Sequence, residues 1–138
     1  MPDRRSLVGA LFLFACSKPY AAPVSSSTAA TPDQTFECAM KQMQALGYNR
    51  SSYDTDERRV NGTKIDPKAH RADTQFRRVL NKLEMEVSSQ PDGKTKLEVV
   101  GHTFAEYTTQ RGPTEVEEKP SDQVRADTQQ LLKRCASS

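Results

Sequence analysis

The segment from Val79 to Thr108 constrains the fold more than any other. Val79, Asn81, Leu83, Met85 and Val87 alternate with Leu80, Lys82, Glu84 and Glu86, the period of a strand with one buried face. Gln90-Pro91-Asp92-Gly93 follows, with turn chemistry along its length. Leu97 to Thr108 then returns, with Leu97, Val99, Gly101 and Thr103 on one side. The pattern predicts a long antiparallel hairpin. Asp73 to Leu83 also suits a helical period through Phe76, Leu80 and Leu83; the alternation beyond it favours a strand from about Arg77.

Two helices are predicted to cover the apolar face. Thr31 caps, Pro32 presets the first turn and Gln34 completes a capping box. Phe36, Ala39, Met40, Met43 and Leu46 form one stripe, and Gly47 ends a helix over residues 32–46. Ser121 caps a last helix in which Val124, Thr128, Leu131 and Cys135 share a side. Tyr48 to Asp54 reads as an edge strand. Arg59 to Asp66 reads as a second strand, weakened by Asn61-Gly62. Residues 67–74 and 111–120 read as polar loops. The expected fold is α+β, with two antiparallel helices on one face of a three- to four-stranded antiparallel sheet, in the order α-β-β-β(-β)-α.

The amino-terminal segment bears on compartment. Arg4-Arg5 precedes Leu7 to Ala15, nine residues without a charge. A helix of that length covers about 14 Å against about 30 Å of bilayer hydrocarbon, so it cannot span. The layout is that of a secretory leader. Cutting after Ala21 or Ala22 puts Pro19 or Tyr20 in the third position back, and both fit poorly. Leu13-Phe14-Ala15-Cys16 resembles a bacterial lipobox, with Phe14 larger than usual. The resemblance implies diacylglycerol on Cys16 and cleavage before it. Ser17 is not the Asp that resembles an inner-membrane retention signal, which favours the outer membrane. Lys18 to Thr31, rich in Ala, Ser and Pro, reads as a flexible tether. The expected organisation is a signal peptide at residues 1–15, a lipidated terminus and linker at 16–31, and an α+β head at 32–138.

Two further cysteines, Cys38 and Cys135, lie early in the first helix and at the close of the last. Export to an oxidising compartment favours their pairing. The loop closed has 97 residues, for which the chain-entropy model gives about 4.7 kcal/mol. Such a bond needs the start of one helix beside the end of the other.

No reaction site is legible. His70 sits in a basic loop, and His102 shares a strand face with Glu98, Val100, Phe104 and Glu106. The Cys and His spacing gives no metal motif, no phosphate-cradling glycine loop occurs, and no cofactor is expected. A net charge of +2 exerts no bulk pull on nucleic acid. Charge is instead segregated. Arg58 to Lys82 holds eight basic and two acidic residues, and Glu98 to Asp122 holds six acidic and two basic. Pairing across neighbouring strands accounts for this best; a basic face for anionic lipid or an acidic partner is the alternative.

The stretch from Phe36 to Asp66, with its helix closing in Leu-Gly-Tyr, an acidic turn and a strand through Val-Asn-Gly-Thr, resembles the repeated domain of the BamC (NlpB) lipoproteins. The resemblance implies a helix, a three-stranded antiparallel sheet and a helix, in a noncatalytic binding module. The expected function is that of a lipid-anchored cell-envelope protein, held in the membrane by acyl chains on Cys16. It would act as a noncatalytic interaction or structural module at the periplasmic face of the outer membrane, with an envelope protein as partner. The alternative is a periplasmic binding domain for lipid or peptidoglycan fragments. Tyr53, Phe104 and Tyr107 are the candidate face: gathered aromatics would favour a ligand, and a flat charged surface would favour a protein.

Overall fold

A computed structural model describes residues 20–137. Its elements are β1 (Val24–Thr28), α1 (Pro32–Ala45), β2 (Asn49–Asp54), β3 (Arg59–Asp66), β4 (Phe76–Ser89), β5 (Thr95–Thr109), β6 (Gly112–Glu118) and α2 (Asp122–Cys135). All strands are antiparallel in one sheet, ordered β1-β5-β4-β3-β2, with β6 also paired to β5. Strands β1 and β6 share the outer edge of β5: β1 pairs with Thr95 to Val99, and β6 with Thr103 to Thr109.

The hairpin expected from the alternation is β4–β5, and its register runs from Ser89↔Thr95 to Phe76↔Tyr107 with one bulge near Arg77. Gly93, at φ 83°, takes the left-handed position that a side chain resists. Asp73 to Leu83 is strand from Phe76 onward, not helix.

Both helices start at built caps. Thr31 Oγ1 accepts from the Gln34 amide while Gln34 Oε1 accepts from the Thr31 amide, a reciprocal capping box. Ser121 Oγ accepts from the Val124 amide. The apolar stripes of the helices lie on one sheet face. Phe36, Ala39 and Met43 of α1 and Val124 and Leu131 of α2 join Val60, Leu83, Met85, Val87, Leu97 and Val99 in the core. Each such large side chain contributes about 1.5–3 kcal/mol by leaving water. Gly62 makes room for α1: a Cβ there would fall 2.5 Å from Met43 Sδ. Cys38 and Cys135 form a disulfide, with Cα atoms 5.7 Å apart.

The expected fold class needs correction. Among the described residues the sheet has six strands, not three or four, and strand residues outnumber helical ones, 47% to 24%. The order is β-α-β-β-β-β-β-α, so the helix–three-strand–helix plan implied by the BamC resemblance does not describe it. Two segments account for the difference. Val24–Thr28 lies in the stretch read as tether, and Gly112–Glu118 in the stretch read as loop. Neither has apolar alternation. Both are held by the backbone ladder of β5 and by side-chain bonds: at β1, Ser26 Oγ donates to the Ala136 carbonyl at 2.5 Å and Thr95 Oγ1 to the Ala30 carbonyl at 2.7 Å, and at β6, Lys82 Nζ donates to Glu115 Oε2 at 2.7 Å and Arg71 Nη2 to Glu118 Oε2 at 2.6 Å.

Candidate functional site

Directly opposed residues in an antiparallel sheet share a face, so register sorts the candidate residues. Phe104 opposes Leu80 and Glu117, on the face away from the helices. Tyr107 opposes Phe76 and Thr114, on the other face. Tyr53 opposes Val60, which opposes Met85 and through it Val99; it stands on the helix-side face at the far edge. The structure therefore does not gather Tyr53, Phe104 and Tyr107 into one surface. Each is occupied separately. The Arg50 guanidinium lies 4.2 Å from the Tyr53 ring centroid. Lys82 Nζ lies 4.6 Å from that of Phe104. The Tyr107 hydroxyl accepts from Arg71 Nη1 at 3.0 Å while its ring meets Phe76 edge-on.

The face opposite the helices is a lattice of charge. Arg59 Nε bonds Glu86 Oε2 at 3.1 Å, Lys82 Nζ bonds Glu115 Oε2 at 2.7 Å, and Arg78 Nε bonds Glu106 Oε1 at 3.2 Å. Nδ1 of His102 lies 2.9 Å from Glu117 Oε1, and its Nε2 lies 3.5 Å from Glu84 Oε2. The segregated charges of the sequence thus pair across β4, β5 and β6. Along the helix-side end of the same strands, Arg71 clamps Glu118 through both guanidinium nitrogens; that bonding holds the Glu118 carboxyl below the usual carboxylate range. In the middle of the charged face is a shallow depression of about 300 Å³ bordered by Arg59, Asn61, Glu84, Glu98 and Val100.

A second feature lies on the helix side. An apolar groove of about 440 Å³ runs between α2 and the residues leading into β1, lined by Tyr20, Val24, Gly101, Val124 and Leu132 among others. Its floor is the stretch of β5 around Gly101, left between the ends of β1 and β6. Tyr20 and Val24 are exposed there, and Lys119 and Arg125 stand on its rim.

Sequence reasoning missed Asp127. It follows Val124 by three residues, on the buried stripe of α2, and is itself buried. Tyr48 Oη donates to it at 2.8 Å and Gln123 Nε2 at 2.8 Å, with Lys64 Nζ at 3.8 Å. Burial first, and the Asp127 carboxylate second, push the Tyr48 hydroxyl well above the usual phenol range. An acid within an apolar helical stripe was the available signal.

Among the described residues no three His, Cys, Asp or Glu side chains are placed to hold a metal, and no helix is long and apolar enough to cross a membrane. His70 is exposed in its loop. Cys16, the expected lipidation site, lies outside the described residues.

Compared with known proteins, the chain matches no protein-family model and no curated protein. Among solved structures it is similar to the crystal structure of a DUF4468 family protein from Bacteroides ovatus ATCC 8483, at 12% identity and a TM-score of 0.36. The likeness covers 73% of this chain and 63% of that one, so the chain spans less than two thirds of that neighbour's length. A likeness of this size carries no argument about fold or function.

Proposed function

We propose that this is a lipid-anchored cell-envelope protein whose head is a noncatalytic protein-interaction module. The observation that supports the reading most is the sheet face opposite the helices. It is broad, shallow and covered by interlaced charges, and its aromatic residue, Phe104, is roofed by Lys82. Such a surface suits a partner of complementary charge pattern, for which arrays of charge set specificity and encounter rate. It suits lipid or peptidoglycan fragments less, because these favour concave sites lined by apolar and aromatic side chains. The Cys38–Cys135 disulfide supports export, since such bonds persist in oxidising compartments. The anchor is Cys16, on the strength of the lipobox resemblance. The outer membrane, at its periplasmic face, is the proposed address.

The test is site-specific photocrosslinking in the native host, with a photoreactive residue at Val100 on the charged face and another at Arg111 in the β5–β6 turn. The reading expects one discrete crosslinked product from Val100 that disappears in Glu84→Lys/Glu98→Lys and is absent from Arg111. Equal products from both positions, or a Val100 product indifferent to the charge reversals, would remove the face from consideration. Palmitate labelling of wild type and Cys16→Ala tests the anchor, with label expected on wild type alone.

A further inference from the structure

We infer that the groove between α2 and the segment entering β1, with its basic rim, is the membrane-contacting face of the head, seated on an anionic phospholipid surface. The inference rests on the proposed acylation of Cys16.

Chain length carries the argument first. If residues 16–31 were all tether, the head would stand clear of the bilayer and present no fixed face. The structure places β1 at Val24–Thr28, and Ala21 is already buried. Only five residue steps separate Cys16 from Ala21, a reach of at most about 18 Å when fully extended. A domain of this size is about 35 Å across, from a radius of gyration near 13 Å. Acyl chains on Cys16 therefore force the side of the head that carries Ala21 toward the lipid. The opposite side of the head lies beyond that reach.

Surface chemistry is the second, independent observation. That side is the one with the apolar groove, where Tyr20 and Val24 are exposed at 61% and 42%. Leu132 lines it from α2. Lys119 and Arg125 border it, and Lys133 stands one helical turn beyond Gln129 of the lining. Arg125 also pairs with Asp122 in the first turn of α2. Apolar and aromatic side chains ringed by cations match an interface of anionic headgroups over acyl chains. The groove is on the helix side of the sheet, so this seating turns the charged sheet face away from the bilayer, where a protein partner can reach it.

The sequence contains no tryptophan, so single substitutions give clean fluorescence reports. Full-length acylated protein, its mass verified, is placed in vesicles of phosphatidylethanolamine and phosphatidylglycerol bearing brominated acyl chains. Gln129→Trp and the conservative Tyr20→Trp report the groove, and Val100→Trp reports the opposite face. The inference expects bromine quenching several-fold stronger at the groove positions than at Val100. It also expects the contrast to shrink when Lys119, Arg125 and Lys133 are changed to Glu. Equal quenching on both faces, or none at the groove in protein of verified acylation, would overturn the seating and leave the anchor intact. A mass without acyl chains would overturn the anchor and this inference with it. A groove signal that shifts blue without lipid and rises with protein concentration would assign the groove to a second copy and overturn the membrane seating.

Discussion

Tyr48 Oη donates to Asp127 Oδ2 at 2.8 Å, joining the turn after α1 to the middle of α2 beneath the core. Both side chains are buried, at 2% exposure each. Lys64 closes the cluster from β3, its ammonium also donating to the Leu46 carbonyl at 2.8 Å. The bond fixes the far end of the helix pair, as the disulfide fixes the near end.

Removing the Tyr48 hydroxyl leaves a buried carboxylate one donor short. Tyr48→Phe is expected to cost about 1–3 kcal/mol, read as a lowered urea midpoint. The hydroxyl's pKa is raised on folding, so its contribution is complete below about pH 10 and falls as pH rises beyond that. Wild type should lose stability on alkaline titration above that point, and Tyr48→Phe should lose less.

The disulfide closes a loop of 97 residues. Cys38→Ala/Cys135→Ala, or reduction of the wild type, is expected to lower unfolding free energy by about 2–5 kcal/mol. Denaturation with and without reductant measures it. The double variant should be insensitive to reductant.

Gly62 lies under α1, where a Cβ would meet Met43 Sδ at 2.5 Å and Tyr48 Cβ at 3.1 Å. Met43 is fully buried and has little room to swing. Gly62→Ala is expected to cost about 1–3 kcal/mol by overpacking, whereas Gly93→Asn in the exposed turn should cost far less. Thermal melts of the two variants check the contrast.

The fold was legible where side chains report burial. Residues 79–87 and 97–103 alternate because one face meets the helices, and the caps at Thr31 and Ser121 announce α1 and α2. Strands β1 and β6 were illegible for a physical reason. Val-Ser-Ser-Ser-Thr buries only Thr28, and its pairing with β5 is a matter of backbone bonds that any sequence can make. The β5–β6 turn is the two residues Gln110-Arg111, without the Asn-Gly chemistry that marks tight hairpins. What the sequence did carry for β6 was charge: its glutamates lie where Lys82, His102 and Arg71 need partners. The aromatic candidates failed as a face because Tyr53, Phe104 and Tyr107 fall on different sides and edges of a sheet whose strand count was underestimated.

The Arg71–Glu118 clamp gives an acid-side prediction. The folded-state pKa of Glu118 is lowered by its bonds to Arg71. Its contribution is thus present above the unfolded carboxylate value and is lost as pH falls through the folded value. Melting temperature should drop on acidification below about pH 4. Glu118→Gln should flatten part of that slope while costing less than about 1 kcal/mol at neutral pH, since the pair is only half-buried.

The most direct test of the account is the intact mass of the protein extracted from its native host's membranes without reductant and treated with an alkylating agent. The account predicts a chain that starts at Cys16 and carries acyl chains there, with Cys38 and Cys135 unalkylated. A chain that retains residues 1–15, bears no lipid and takes alkyl groups on both of the other cysteines would contradict it.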